Sequence, residues 1–275
     1  MWTLTGFADE VATDFAAQLE LMATLGITFI ELRSAWGVRV LDLDDSQVDR
    51  AKAMLGDAGI AVSALGTDLG KIGILDDFDP HLDRTRRAIE VAHRLGTTDL
   101  RGFSFFIPPD VPPLDHRAEV IDRLGQMVQL AADAGVRYLH ENEKAIYGET
   151  PQRCEDLADQ FDDRWFGLIL DPANYVQCGI LPVDEAYPIV ARATRYVHVK
   201  DAVLADATVR PAGEGDAQWP QLIEALHADG YDGFLSLEPH LGVHDAFGGL
   251  SGAKAWTAAH TALIGLLRSA HIPWA

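Results

Sequence analysis

The chain has 275 residues, with 42 Asp and Glu against 22 Lys and Arg, giving a formal charge of −20. A field that negative excludes non-specific binding to nucleic acid or anionic lipid as its main task, while a few local basic groups could still hold a small anion. A hydrophobic content of 48% and a mean hydropathy of +0.01 describe a globular chain, without the run of ~18 apolar residues that a membrane helix needs.

Strand and helix alternate eight times. Strand one is Trp2–Ala8, and Phe15, Leu19, Met22 and Leu25 then recur at helical spacing over Thr13–Leu25, with Gly26 ending the run. Strand two, Thr28–Leu32, leads to a helix over Asp44–Ala58, closed by Gly59. Strand three, Ala61–Gly66, is followed by a loop through Gly70-Lys-Ile-Gly73 and a helix over Asp79–Leu95. Strand four is Asp99–Phe105, and the stiff segment Pro108-Pro-Asp-Val-Pro-Pro113 leads to a helix ending near Ala134. Strand five is Arg137–Glu141, and Thr150-Pro151 supplies an N-cap with proline at the first helical position. Strand six, Phe166–Asp171, precedes a helix over Val183–Ala193; strand seven is Arg195–Lys200. A long loop, Asp201 to Gln218, leads to a helix over Pro220–Ala228. Strand eight, Gly233–Glu238, is followed by a Gly-rich loop and a last helix over Lys254–Ala270.

Strands alternating with helices of ten or more residues imply a parallel sheet, and eight units at this length imply a single (β/α)8 TIM barrel over residues 1–275. Helices return to strands through tight Gly turns, whereas the long loops mostly follow strands. The active site is therefore expected at the C-terminal ends of the strands. The start has no basic segment followed by an apolar one, and Cys154 and Cys178 show no metal-type spacing, so a cytoplasmic protein with free thiols is expected.

Four consecutive strands end on, or carry near the end, a residue able to bind a metal. They are Glu141, Asp171, His198 and Glu238. A strand interior rejects an unpaired carboxylate. One such ending has a bland reading as a solvated acid or a satisfied core histidine; four in succession point to one site. Side chains alternate along a strand. Glu141 therefore shares a face with Leu139, Asp171 with Ile169, His198 with Tyr196 and Lys200, and Glu238 with Ser236 and Phe234. Three carboxylates and an imidazole suit one divalent ion, Mn2+, Mg2+, Co2+ or Zn2+.

Around this set, Lys71, Asn174, Lys200, Asp201, Arg210 and His240 are expected at the substrate. Arg101 and Lys144 are further basic groups near strand ends. Glu31 and Arg33 could pair at the mouth or touch substrate. His140 reads as packing on the opposite face from Glu141, and His244 as a loop residue. Trp36, Phe103, Phe105, Phe106 and Phe247 could wall the pocket, with core packing the default. The segment Pro211-Ala-Gly-Glu-Gly-Asp216 carries two acids and reads as a shaped loop over the pocket, not a phosphate cradle. Cys154 has no His–acid pair placed to activate it.

Several segments together resemble the sugar phosphate isomerase/epimerase superfamily of xylose isomerase-like barrels. They are Gly6-Phe-Ala-Asp-Glu10, Phe29-Ile-Glu-Leu-Arg33, Gly70-Lys71-Ile, His140-Glu-Asn-Glu-Lys144, Ile146-Tyr-Gly148, Asp171-Pro-Ala-Asn-Tyr175, Val197-His-Val-Lys-Asp201, Pro211-Ala-Gly-Glu-Gly-Asp216 and Ser236-Leu-Glu-Pro-His240. The resemblance implies one divalent metal held by Glu141, Asp171, His198 and Glu238. It also implies that Glu141 and Glu238 exchange protons with opposite faces of a ketose-type sugar. One departure is Asn174, which stands where many members carry His. The implied partner is a small carbohydrate, with no nucleic acid and no membrane, and a homo-oligomer allowed. A metal-dependent dehydratase acting on a cyclic polyol or keto acid is the main alternative. A barrel-type DNA-repair endonuclease would need several metals and a basic face, against the charge of −20. A barrel that binds sugar without turnover is the fourth reading.

Overall fold

A computed structural model describes residues 1–242 and 251–275; His244 and Phe247, noted above, lie outside the described residues. Eight strands form one parallel sheet: β1 (Thr3–Gly6), β2 (Phe29–Leu32), β3 (Ala61–Leu69), β4 (Asp99–Gly102), β5 (Arg137–Glu141), β6 (Phe166–Leu170), β7 (Thr194–Val199) and β8 (Phe234–Leu237). The order runs β1-β8-β7-β6-β5-β4-β3-β2, so sequence neighbours pair from β2 through β8 and β1 pairs with β8. Strands β1 and β2 come together across the remaining seam, giving a nearly closed TIM barrel.

Helices wrap the outside: α1 (Phe15–Thr24), α2 (Asp45–Ala58), α3 (Asp79–Leu95), α4 (Arg117–Asp133), α5 (Pro151–Ala158), the short α6 (Pro172–Gln177) and α7 (Tyr187–Val190), α8 (Trp219–Ala228) and α9 (Gly252–Ser269). Local chemistry sets their ends. Asp44 and Gln47 form a reciprocal capping box at the start of α2, and Gly59 closes it in the left-handed region at φ +66. Thr150 caps α5 ahead of Pro151, as its sequence indicates.

Four elements depart from the sequence reading. Strand β3 runs on to Leu69, whereas β4 stops at Gly102. The cause is a close crossing: a Cβ on Gly70 (φ +82) would lie 2.1 Å from the Phe103 carbonyl oxygen. Phe105 then turns the chain aside at φ +67. The helix expected over Val183–Ala193 is irregular, a wide turn over Pro182–Ala186 followed by α7 and a tight turn over Ala191–Ala193. Pro188, inside the expected span, lacks the N–H that a regular helix requires there. Helix α6 was not anticipated.

Inside the barrel, Ala64, Leu139, Ile169 and Tyr196 form their own buried layer with Phe234 packed on it. Leu139, Ile169, Tyr196 and Phe234 are the residues that alternation placed on one face with Glu141, Asp171, His198 and Glu238. They make the floor on which the polar site stands.

Candidate metal centre

The four strand-end residues meet above that floor. One ligand atom from each of Glu141, Asp171, His198 and Glu238 lies within 4.8 Å of the others, and all four residues are buried. That spacing suits a single ion bonded at ~2.0–2.3 Å. His198 Nδ1 stands 3.3 Å from Glu141 Oε1, 3.6 Å from Glu238 Oε2 and 3.9 Å from Asp171 Oδ2. His198 Nδ1 and Asp171 Oδ2 are sealed from water, and neither makes a hydrogen bond of good geometry. Asp171 Oδ2 is held by Lys200 Nζ at 2.8 Å, and His198 Nδ1 faces the three carboxylates at 3.3 to 3.9 Å, so the atoms of the set look toward one point. The donor set therefore fits a divalent cation.

The surroundings fix each ligand in place. Asp171 caps α6 with one oxygen, accepting the Asn174 N–H at 2.9 Å through Oδ1, which leaves Oδ2 for the site. The Asn142 amide donates to the Asp171 carbonyl and accepts its N–H, both at 2.9 Å, tying the ends of β5 and β6 together. Asn174 Nδ2 donates to Glu141 Oε1 at 3.2 Å. Behind His198, Nε2 lies 3.2 Å from Glu31 Oε2, which also accepts the Ser236 hydroxyl at 2.6 Å. Phe7 and Tyr196 pack edge-on against the imidazole. With an ion bound at Nδ1, the ring proton would belong on Nε2 and go to Glu31. This is the carboxylate–histidine arrangement that orients a metal ligand.

Cations balance the acids. Lys200 Nζ lies 2.8 Å from Asp171 and 2.9 Å from Glu238. Arg101 Nη1 lies 3.1 Å from Glu141, and Arg33 Nη1 3.3 Å from Glu238. Burial alone would discharge these groups, but their partners prevail: Asp171 and Glu238 hold the Lys200 ammonium well above its usual range. Against the same penalty, Lys200, His240 and His198 hold Glu238 well below the carboxylate range, and His198 and Arg101 lower Glu141. Burial wins at Asp171, raised to about 6 despite Lys200. His198 is pushed well above the usual imidazole value, burial being overridden by Glu141 and Glu31.

A second group, Glu10, Glu238 and His240, also brings ligand atoms within 4.8 Å of one another. Arg33 Nη2 already lies 3.6 Å from Glu10 there, while its Nε and Nη2 hold Asp9. A guanidinium thus supplies the positive charge at that corner. Burial, opposed by Arg33, raises the Glu10 carboxyl to about 8.

Over the ligand set opens a cavity of about 320 Å3, whose lining includes Glu141, Glu238, Arg33, Lys71, Arg101, Lys200 and His240. Lys71, Lys200 and His240 thus stand where substrate contacts were expected. Asn174 is buried against Glu141 and positions it. Asp201 and Arg210 depart from expectation. Asp201 is fully buried, and its carboxylate accepts N–H groups from Ala202, Gly213, Gly215 and Ala217. Asp201 thereby pins the loop carrying residues 211–216. Arg210 pairs in a short antiparallel arm with Asp201 and donates to the Val209 carbonyl, off the cavity lining. Glu31 and Arg33 do not pair at the mouth: Glu31 backs His198, and Arg33 bridges Asp9 and Glu238.

His140 packs on the far face as expected, against Ser104 Oγ at 2.9 Å. Lys144 reaches Gln177 on the exposed surface. Burial pushes the Cys154 thiol up to about 12, in keeping with no nucleophilic role. Phe103 and Phe105 are fully buried, and Phe106 lines the cavity. Sequence reasoning missed Asn142 and the role of Glu31. The one available signal for Glu31 was its inward register in β2, opposite no obvious partner.

Residues 19–260 match the model of the family described as xylose isomerase-like TIM barrel. Among solved structures, the IOLI protein with a zinc atom bound superposes with a TM-score of 0.79 at 15% identity, covering 97% of this chain and 98% of that one. A D-tagatose 3-epimerase-like protein gives a TM-score of 0.76 at 17% identity, with 97% of each chain covered. An uncharacterized protein of Methanocaldococcus jannaschii is 25% identical over 149 residues, 48% of this chain and 48% of its own length. The match thus spans about half of that relative.

Proposed function

This chain belongs to the xylose isomerase-like TIM barrel family, and we propose that within it the protein is a divalent-metal-dependent isomerase or epimerase of a ketose-type sugar or sugar derivative. The observation that carries this reading is the convergence of Glu141, Asp171, His198 and Glu238, with two sealed donor atoms facing one point beneath an open cavity. Those four residues would hold the ion. When bound, it would supply Lewis-acid polarisation of the substrate carbonyl, which acidifies the neighbouring C–H.

The chain's own groups do the rest. Glu141 and Glu238 are held ionised by their cationic neighbours and line the cavity, so either can accept a proton from carbon, and the carboxyl protonated in that step can return it; the other can return one only after taking a proton from solvent. His198 and Arg101 lower the basicity of Glu141, and Lys200, His240 and His198 that of Glu238, and the proton therefore moves only where the carbon acid has itself been made stronger. Lys200, protonated and in the cavity wall, can donate to a substrate oxygen on which negative charge develops. The floor of Leu139, Ile169 and Tyr196 keeps water from the underside. A small-molecule partner is in keeping with a cavity of about 320 Å3.

A dehydratase is the second reading, and Lys200 is the observation that favours it. The same ammonium beside Glu238 could protonate a departing hydroxide. Incubating the Mn2+-loaded protein with a panel of ketoses and cyclic keto polyols in D2O separates the two. Carbon-bound deuterium and a new stereoisomer are the expected result. An absorbing enone would assign the lyase, and neither product from any member of the panel would reject both.

A further inference from the structure

We propose that Lys200 is an internal competitor for the metal centre. Its ammonium holds two carboxylate oxygens that a divalent ion needs, and loading the ion drives it off them into the cavity. This rests on the metal reading above and adds a role for the one lysine inside the ligand set.

The first ground is which oxygen each cation takes. His198 Nδ1 faces Glu141 Oε1, Glu238 Oε2 and Asp171 Oδ2, the inward oxygens of the set. The two arginines take the outward ones. Arg101 Nη1 meets Glu141 through Oε2 at 3.1 Å, and Arg33 Nη1 meets Glu238 through Oε1 at 3.3 Å. Lys200 does the reverse: Nζ lies 2.8 Å from Asp171 Oδ2 and 2.9 Å from Glu238 Oε2. Asp171 has no second choice, because its Oδ1 is committed to the Asn174 N–H at the start of α6.

The second ground is charge at short range. An ion bonded to Asp171 Oδ2 at ~2.0–2.3 Å would lie within about 5 Å of Lys200 Nζ, whichever side it approached from. A dication and an ammonium that close repel strongly where water is excluded, and the Lys200 and Asp171 side chains are 4% and 0% exposed. The tie to Asp171 is also weak in geometry: Oδ2 makes no hydrogen bond, so charge alone holds the ammonium there. A dication answers that charge better. The means of release is built in. Trp219 Nε1 donates to the Lys200 carbonyl at 3.0 Å and pins the backbone, while the flexible lysine stem can carry the ammonium into the cavity it already lines. Loading the ion and placing a donor over the substrate are then one event.

The test is competition titration of Mn2+ against a chelator of known affinity, on protein stripped of metal. Lys200→Met is expected to bind Mn2+ about tenfold or more tighter than wild type, because nothing has to be displaced. Arg33→Met removes a charge that is held mainly by Asp9 and touches only an outward oxygen, so it should tighten binding far less. Lys144→Met, on the exposed surface, should leave affinity unchanged. Lys200→Gln, neutral but still able to donate an N–H, carries the same expectation if Lys200→Met does not fold without metal. Weaker or unchanged Mn2+ affinity in the Lys200 variants would overturn the proposal, since removing a residue that merely orients the ligands weakens binding. A gain no larger than that of Arg33→Met would also overturn it, by showing general charge in place of shared oxygens. No Mn2+ binding by wild type or any variant would overturn the metal reading together with this inference.

Discussion

The two sides of the barrel mouth are built from opposite charges. Strands β5 to β8 contribute Glu141, Asp171, His198 and Glu238, an acidic set waiting for a cation. Across the mouth, the ends of β2 to β4 contribute Arg33, Lys71 and Arg101, in a chain where acids outnumber bases by nearly two to one. One side is suited to holding a metal and moving protons. The other supplies counter-charge to those acids and faces whatever the metal side leaves of the substrate. The contrast teaches that Arg33 and Arg101, though on the other side of the mouth, are placed to answer the charge of the ligand carboxylates.

The largest effect expected from breaking this division is at the acidic side. Glu238→Gln keeps volume but replaces a proton-accepting, ion-binding carboxylate oxygen with an amide, and proton exchange into substrate should fall by about 10²–10⁴-fold. Exchange measured by mass spectrometry checks it, with circular dichroism confirming that the fold persists. Chelation should abolish turnover and lower the melting temperature, and added Mn2+ should restore both, because ligand binding to the native state stabilises it.

Breaking the basic side should cost stability first. Arg101→Met leaves Glu141 buried beside fewer cations, with an expected loss of ~3–5 kcal/mol in chemical denaturation of the metal-free protein. The loss should be smaller in the Mn2+-loaded protein, because the ion then answers the same carboxylate. An equal loss in both would show that Arg101 and the metal do not share Glu141. Glu31→Gln is subtler. It leaves the four ligands in place but weakens the acceptor behind His198, and metal affinity should drop by ~10–100-fold in a competition titration.

The smallest effect concerns the loop that carries Lys71. His81 Nε2 accepts the Gly70 N–H at 2.6 Å, and burial lowers its pKa below the usual 6.5. The folded state thus binds protons less readily at this ring than the unfolded chain does. The stabilisation is complete above the unfolded value and is lost as pH falls below 6.5 towards the folded pKa. His81→Gln should flatten that part of the stability profile, read as melting temperature against pH from 7 down to 5.

Much of the acidic side was legible in the sequence, and the reason is geometric. A strand's alternation fixes which residues share a face, and a barrel brings all strand ends to one rim. Glu141, Asp171, His198 and Glu238 could therefore be grouped from their positions alone, as could the layer of Leu139, Ile169, Tyr196 and Phe234 beneath them. Roles that depend on distances across the barrel were not legible. That Glu31 backs His198, or that Arg33 spans Asp9 and Glu238, follows from how far apart β2, β7 and β8 lie and not from any local pattern. Asp201 shows the same limit in a loop. A carboxylate just past a strand end looks like a substrate contact until the returning chain places four N–H groups around it. The broken helix around Pro188 was legible in principle, since proline there removes a donor.

The most direct test of the division is a crystal of the protein grown with Mn2+ and recorded for anomalous scattering. One strong peak is expected within ~2.0–2.3 Å of oxygens from Glu141, Asp171 and Glu238 and of His198 Nδ1. A peak at the Glu10, Glu238 and His240 corner alone, or none among the four residues at saturating Mn2+, would contradict it.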